Sequence, residues 1–487
     1  MADTGGEGGT ACVAAPGQDI PEALSGDPFT GVGAVADAVL YEGYLLYPYR
    51  RSSAKNRVRW QFGVLLPRAW VEADGPVAEG VSGSADSWYQ RTECLVRATP
   101  DAVLRVRVRY LQLQRKQVEA PGEDGRYRPV ESLRGDDGTA HLSFDEAVPY
   151  EVDLAWPLAE LLHGPCTAEV SAPPAVDTGE LGAAGRVVRR REHVQAHTTV
   201  GAEKLADGLY RLCVRTENAG EAADVRAPRG RALRQALLAA HTLLTGEGLE
   251  FVSQTDPPAA LRERARGCRS AFTFPVLGGP AGQSADGATG PVVLSAPIIL
   301  PDHPQVAPES PGDLHDAAEI DEILTLRTML LTDEEKAEAR ATDPRAARIL
   351  DRVDTMPPEV FANLHGAIRS LAPAAEPSGA RPAWWQEGGD AGLSPTTDTV
   401  TVAGVPLGTG SRVRLNPRLR GADAQDMFLV GRTAEVAAVF HDVDGSVHLA
   451  VTVDDDPAAE LHGWYGRFHY FRPDELEPLG DGAAPRP

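Results

Sequence analysis

The sequence predicts a multidomain, β-rich α+β protein: an N-terminal antiparallel β-sandwich, a helical middle segment and a small C-terminal SH3-like β-barrel. Three observations carry that expectation. Eight short segments of β-branched and aromatic residues, bounded by turn formers, occupy residues 33–225 without interleaved helices. An acidic, proline-punctuated loop then feeds a helical array. A second, shorter run of strand patterns follows a Pro/Gly-rich connector.

In chain order, residues 1–32 are rich in Gly, Pro, Ala and acids and lack periodicity, which predicts a disordered tail. The predicted strands of the sandwich (33–225) are Ala38–Leu46, Arg59–Leu66, Trp88–Ala98, Leu104–Leu113, Tyr150–Leu154, Ala168–Ser171, Val187–Val200 and Leu209–Arg215. Leu104-Arg-Val-Arg-Val-Arg-Tyr is the clearest of them. Leu104, Val106, Val108 and Tyr110 point one way, and Arg105, Arg107 and Arg109 the other.

Residues 226–371 read as a mixed and then helical region. Leu233, Leu237, Ala240 and Leu244 recur at helical spacing and predict a helix over Arg229–Leu244. Leu249–Val252, Phe272–Val276 and Val292–Leu300 predict further strands, the last fully buried. The acidic loop carries Pro301, Pro304, Pro308 and Pro311, which restrict its backbone. Between Asp302 and Asp343, twelve Asp/Glu stand against three Lys/Arg. In the helical block Leu314–Leu371, Thr332-Asp-Glu-Glu335 is a capping-box pattern, and Asp343-Pro344 supplies an N-cap followed by a proline at the first helical position. Residues 372–403 read as a linker. Residues 404–480 carry strand patterns at Arg412–Leu415, Ala434–Phe440, Val447–Val453 and Phe468–Phe471, with a turn at Asp444-Gly445. Residues 481–487 form a second predicted disordered tail.

Charge and cysteine usage narrow the function classes. A net charge of −23 argues against nucleic-acid binding, which needs clustered cations. Five widely spaced cysteines without a C-x-x-C pair read as reduced thiols. The first residues lack the basic and apolar regions of a signal peptide, and no apolar run is long enough for a membrane span. These points lead to an expectation of a cytoplasmic protein.

Several blocks resemble a known family: Leu40-Tyr-Glu-Gly-Tyr-Leu-Leu-Tyr-Pro-Tyr-Arg with Lys55-Asn56-Arg57, Arg59-Trp60 and Phe62-Gly63; Ser295-Ala-Pro-Ile-Ile-Leu with Pro308-Glu-Ser-Pro-Gly-Asp-Leu; Glu319-Ile-Asp-Glu-Ile-Leu-Thr-Leu-Arg; Leu331-Thr-Asp-Glu-Glu-Lys; and, in the tail, Phe468-His-Tyr-Phe-Arg-Pro-Asp-Glu-Leu-Glu-Pro. The family is an uncharacterised group of bacterial proteins encoded beside [NiFe]-hydrogenase structural and maturation genes. The resemblance implies a setting, hydrogenase assembly or function, and carries over no catalytic residues.

Four groups of residues are candidate sites. In the first, Tyr41, Tyr44, Tyr47, Tyr49 and Trp60 flank Arg50, Arg51, Lys55, Asn56, Arg57 and Arg59. Such Tyr/Trp/Arg mixtures form interface hot spots, and paired arginines grip carboxylates or phosphates. The plainer reading is a strand–loop–strand with packed tyrosines and solvated charges. The row Arg105, Arg107, Arg109 sets like charges about 7 Å apart on one strand face and needs either solvent or acidic partners. An acidic partner protein, or the chain's own acidic helical block, would serve. In the acidic loop, Asp302, His303, Glu309, His315 and Glu319 offer oxygen and imidazole ligands for a divalent metal, with His315 and Glu319 one helical turn apart. Aspartates at a helix start are equally ordinary structural residues. The tail histidines His441, His448, His462 and His469, beside Asp454–Asp456, match no compact ligand motif.

No nucleophile-elbow, P-loop or dinucleotide motif occurs in the sequence, and no cofactor is implied. The expected role is therefore a non-catalytic accessory protein in [NiFe]-hydrogenase assembly, maturation or complex formation. Its partner would be a protein, such as a hydrogenase subunit or a maturation factor. The competing classes are a metal-assisted hydrolase using the 302–319 loop and a self-assembling structural protein.

Overall fold

A strand of 33 residues, Tyr89–Pro121, organises the first part of the molecule. The structure, a computed structural model, describes residues 12–13, 27–52, 59–77, 79, 85–136, 138–222, 224–279, 288–306, 315, 321–357, 399–417, 429–441, 447–454 and 468–479. The chain divides into two units, Met1–Ala367 and Ile368–Pro487. Strand (46%) outweighs helix (20%), in keeping with the β-rich expectation.

In the first unit the strands are β1 (Cys12–Val13), β2 (Tyr89–Pro121), β3 (Tyr127–Val130), β4 (Ser132–Arg134), β5 (Ala140–Leu142), β6 (Phe144–Pro157), β7 (Cys166–Glu169), β8 (Ala175–Glu180), β9 (Arg186–Arg191), β10 (Ala196–Ala206), β11 (Leu209–Asn218), β12 (Leu237–Val252), β13 (Phe274–Gly278), β14 (Thr289–Gly290) and β15 (Val292–Ala296). All but β4 and β5, which pair with each other, join one large sheet whose spine runs β1-β7-β10-β11-β2-β12-β15-β13. Its pairings are antiparallel except for β1 with β7. β2 changes partners along its length: β11 against its first nine residues, then β6 with β12, then β9 and β3.

The change of partner falls around Pro100, opposite a register shift in β12 between Glu247 and Leu249. There β12 approaches the backbone of β2 so closely that a Cβ at Gly246 would collide with the Val103 carbonyl. Gly248, at φ +68°, supplies the left-handed backbone of the adjoining bulge. Trp88–Ala98 and Leu104–Leu113, expected as two strands, are thus halves of one. Val187–Val200, expected as one, is divided between β9 and β10 because β9 pairs with β2 and β8 while β10 pairs with β11 and β7.

One face of the sheet carries an apolar core. Val96, Leu104, Val106, Val108 and Tyr110 of β2 meet Trp156, Val200, Leu212, Val214, Leu244 and Phe251 there. Each fully buried aliphatic or aromatic side chain contributes about 1.5–3 kcal/mol. Tyr110 reaches across to donate its hydroxyl to the Val170 carbonyl at 2.6 Å.

The other face of β2 and β12 is covered as well. Leu111, Leu113 and Leu238 pack with Tyr44, Tyr49, Trp60, Leu66 and Trp70, and with residues of the helical segment. That double cover explains a correction. The predicted helix Arg229–Leu244 is a single helical turn, Arg229–Ala232, with a 3-10 turn over Leu233–Gln235, followed by the strand β12. A strand buried on both faces loses its alternation, and Leu-Leu-Ala-Ala-His-Thr-Leu-Leu then matches helical spacing by chance.

Two further predicted strands are not strands. Ala38–Leu46 lies across the end of helix α1 (Gly33–Tyr41), which buries Ala36, Val39 and Leu40 and stops before Gly43 at φ +68°. Arg59–Leu66 is interrupted by positive φ at Trp60 and Gly63, and only Leu65 forms bridges, to Ser87 and Leu237. The predicted tail 1–32 also contains folded residues: Cys12–Val13 pairs with β7, and Phe29 and Val32 are buried against Val39, Leu243 and Leu294.

The short helices α2 (Arg68–Val71), α3 (Leu158–His163), α4 (Arg229–Ala232) and α5 (Arg262–Arg266) precede the helical segment α6 (Asp321–Met329), α7 (Asp333–Thr342) and α8 (Pro344–Asp354). Both sequence-derived caps are present. Thr332 accepts from the Glu335 amide while Glu335 reaches back to the Thr332 amide. Asp343 caps α8 by accepting from the Arg345 amide at 2.7 Å.

In the second unit, β16 (Val400–Val402) and β17 (Val405–Leu407) form a hairpin whose two loop residues, Ala403 and Gly404, both have positive φ. β18 (Arg412–Leu415), β19 (Thr433–His441), β20 (Val447–Val453), β21 (His469–Phe471) and β22 (Leu476–Pro478) form an antiparallel sheet in the order β21-β20-β19-β18-β22. Val413, Val436, Val439, Leu449, Val451, Val453 and Phe471 fill its core. Among the described residues this sheet is open and does not close into the expected barrel. The Asp444-Gly445 turn and the 372–398 part of the linker lie outside the described residues.

Candidate functional site

The aromatic-basic block folds inward. Tyr44 and Tyr49 are fully buried, and Arg59 and Trp60 are 3% and 6% exposed. Tyr44 donates its hydroxyl to Asp343 at 3.0 Å and accepts from the Ala147 amide at 3.1 Å. Burial first, and the Asp343 carboxylate second, raise the Tyr44 pKa and keep the phenol neutral. Tyr41 lies half-buried at the end of α1, with the Arg345 guanidinium 3.9 Å from its ring centre. Tyr47 donates to the Arg327 carbonyl at 3.2 Å and packs edge-on against Tyr49.

The arginines of the block separate into two kinds. Arg50 pairs with Glu335 at 3.0 Å and Arg51 with Glu131 at 2.7 Å, both partly exposed. Arg59 is enclosed. Its guanidinium stacks 3.9 Å from the Phe144 ring centre and 4.2 Å from that of Trp60. It donates to the carbonyls of Tyr44 and Asp145. Burial pulls its pKa below the usual arginine value, although Tyr44 and the acids Asp145, Asp343 and Glu146 oppose the shift from a distance. The positive φ of Trp60 turns its carbonyl toward Arg229, which donates to it at 2.9 Å and holds Asp86 through two 2.8 Å bonds. Lys55, Asn56 and Arg57 lie outside the described residues.

A cavity of about 390 Å³ opens beside Arg59. Its walls come from four separated stretches: Arg51, Arg59 and Trp60; Arg115, Lys116 and Gln117 of β2; Ser143, Phe144 and Asp145; and Gly230 with Leu233. The sequence singled out only the first stretch. Arg115 was legible in principle, because it continues the odd-numbered face of β2 that carries Arg105, Arg107 and Arg109. Lys116 pairs with Glu146 at 3.3 Å.

The arginine row is satisfied within the chain, though not by the acidic helical block. Arg107 holds Asp153 through two bonds of 2.7 and 2.9 Å and also reaches Asp27. Arg109 bridges Glu151 and Asp37, and Arg105 meets Glu247 at 3.4 Å. The cross-strand acids of β6 and the acids of residues 27–37 thus replace an external partner.

The acidic loop contributes three described candidates, which are not brought together. Asp302 accepts from the Ser253 and Thr255 hydroxyls at 2.5 and 2.6 Å and from the Leu277 amide at 2.8 Å. Its carboxylate thereby staples the loop to β13. His303 sits at φ +54° with Nδ1 on the Gly279 carbonyl, and His315 packs its ring against Tyr41 and Tyr44. Glu309 and Glu319 lie outside the described residues, among which no group of His, Cys, Asp or Glu has metal-binding geometry. In the tail, Asp454 pairs with Arg412 and Thr433, while His462, Asp455 and Asp456 lie outside the described residues.

No family model and no curated protein sequence matches the chain.

Proposed function

We propose that this chain is a non-catalytic accessory protein of [NiFe]-hydrogenase assembly or maturation, acting in the bacterial cytoplasm by binding a hydrogenase subunit or a maturation factor. One observation carries the reading. Three of the blocks that resemble the hydrogenase-linked family, at residues 40–63, 319–327 and 331–336, pack together within the first unit although they are far apart in sequence. Tyr44 bonds Asp343, Arg50 pairs with Glu335, and the Ser52 amide donates to Glu338 at 3.0 Å. Leu40, Leu45 and Tyr49 pack with Leu324, Leu331, Ile349 and Leu350. A resemblance carried by residues that build one unit is coherent in a way that scattered matches are not.

On this reading the first unit is a sandwich-like scaffold and the second an SH3-like protein-binding module. A large antiparallel sheet covered on both faces and a separate antiparallel sheet in the second unit fit a scaffold that carries a binding module. The net charge of −23 favours protein over nucleic-acid partners. The test is co-expression of the tagged chain with the hydrogenase operon of its host, together with deletion of its gene. A hydrogenase subunit or maturation factor that co-elutes at fixed stoichiometry, and unprocessed hydrogenase in the deletion strain, are expected. Normal hydrogenase maturation without the gene would overturn the reading, as would recovery of the chain with only itself.

A further inference from the structure

Arg59 is a buried cation that no anion touches directly among the described residues, although Asp145, Asp343 and Glu146 act on it from a distance. It makes no ion pair among the described residues, its bonds go to two backbone carbonyls, and its buried Nε has no acceptor. Taking a guanidinium out of water costs several kcal/mol unless an anion faces it. Stacking on Phe144 and Trp60, worth about 2 kcal/mol or more per ring when desolvated, offsets part of that cost but supplies no anion. An unsatisfied buried donor is itself unfavourable and points to a missing acceptor.

The cavity beside Arg59 supplies the space, and its other charges define what fits. Arg51 and Lys116 are held by Glu131 and Glu146, so they give a basic rim without a free charge. Arg115 is half-buried on the same wall and makes no ion pair or side-chain hydrogen bond among the described residues. Two guanidinium groups without a direct ion pair among the described residues therefore border one space. Asp145 is the one acidic residue of that lining, opposite Arg115 in the β2–β6 register. In a chain of net charge −23, such a basic concavity focuses anions locally against the overall field.

We propose that this cavity binds a small organic oxyanion, whose carboxylate or phosphate group is the partner of Arg59 and Arg115. Guanidinium forks match both oxyanions in bidentate geometry. A volume of about 390 Å³ falls in the range of small-molecule sites and admits a compact metabolite. Asp145 sets the orientation: the anionic end faces the arginines, and a hydroxyl or amine of the ligand faces the carboxylate. This site is independent of the hydrogenase reading.

Titration of the full-length chain with citrate and with inorganic phosphate, followed by calorimetry and by thermal denaturation, tests the assignment. Sodium chloride at matched ionic strength is the reference. Saturable binding with a rise in Tm is expected for at least one probe, and whichever binds more tightly separates the carboxylate from the phosphate source. Arg115→Gln, on a half-buried strand position, should weaken binding at least tenfold while the protein stays folded. Asp145→Asn removes the opposing charge and should tighten binding several-fold, a gain that a damaged fold does not produce. No saturable heat beyond the chloride reference for either probe would overturn the site. So would affinities unchanged by both substitutions.

Discussion

Tyr44 and Asp343 stand 299 positions apart in sequence, yet the phenol donates to the carboxylate at 3.0 Å in a buried setting. The same oxygen of Tyr44 accepts the Ala147 amide, and the other oxygen of Asp343 caps α8. One pair of side chains thus ties the segment after α1, strand β6 and the helical segment together.

Removing either member should be costly, and unequally so. Tyr44→Phe deletes a hydrogen bond to a charged acceptor and leaves the Ala147 amide unpaired, for an expected loss of about 2 kcal/mol. Asp343→Ala also removes the cap and should cost about 3 kcal/mol. Urea unfolding of both singles and the double measures the coupling. Strictly additive losses would show that the two residues do not interact in solution.

Asp86 and Arg229 form a buried, bidentate ion pair, with side chains 3% and 6% exposed. Breaking it strands a charge, so Asp86→Ala should destabilise by about 3–5 kcal/mol. Asp86→Leu with Arg229→Met should recover part of that loss, because no buried charge then remains. A double variant as unstable as Asp86→Ala would mean that the Arg229 bond to the Trp60 carbonyl matters more than the pair.

His241, fully buried on β12, donates from Nδ1 to the Ala239 carbonyl at 2.8 Å. Burial pushes its pKa down to about 4. The unfolded chain takes up this proton near the ordinary value of about 6.5, and the native state does not until about 4. Between those values the unfolded state binds more protons, so acid withdraws stability, by about 3 kcal/mol at the lower end. His241→Gln should therefore lose less stability than the parent between pH 6.5 and 4. Parallel stability curves for the two proteins would refute the assignment.

The thiol of Cys268 is pushed up to about 11, first by burial and then by the nearby Glu93. Cys94, fully buried, is shifted further in the same direction by burial. At pH 8 the native protein should alkylate at Cys268 on the order of tenfold more slowly than a free thiol, since the higher nucleophilicity of a basic thiolate only partly offsets its scarcity. Cys94 should react only on unfolding. Mass spectrometry of iodoacetamide-treated protein reads both rates, and rapid native labelling of Cys94 would count against the fold around it.

Local chemistry made much of this molecule legible. The alternation of Leu104–Tyr110 placed one face of β2 in the core because a pleated strand admits only two faces. Thr332, Glu335 and Asp343 announced two helix starts, since unsatisfied amides at a first turn recruit nearby side-chain acceptors. Val447–Val453 showed its strand for the same reason of period. Tertiary structure decided the rest. β12 reads as a helix until both faces of its strand are known to be covered. The arginine row looks open to a partner until β6 and α1 bring Glu151, Asp153 and Asp37 against it. The block Tyr41–Trp60 looks like a surface until the helical segment closes over it, and its buried Arg59 acquires a cavity only where β2, β6 and α4 converge. Periodicity and capping are properties of neighbours in sequence, whereas burial and charge pairing belong to neighbours in space.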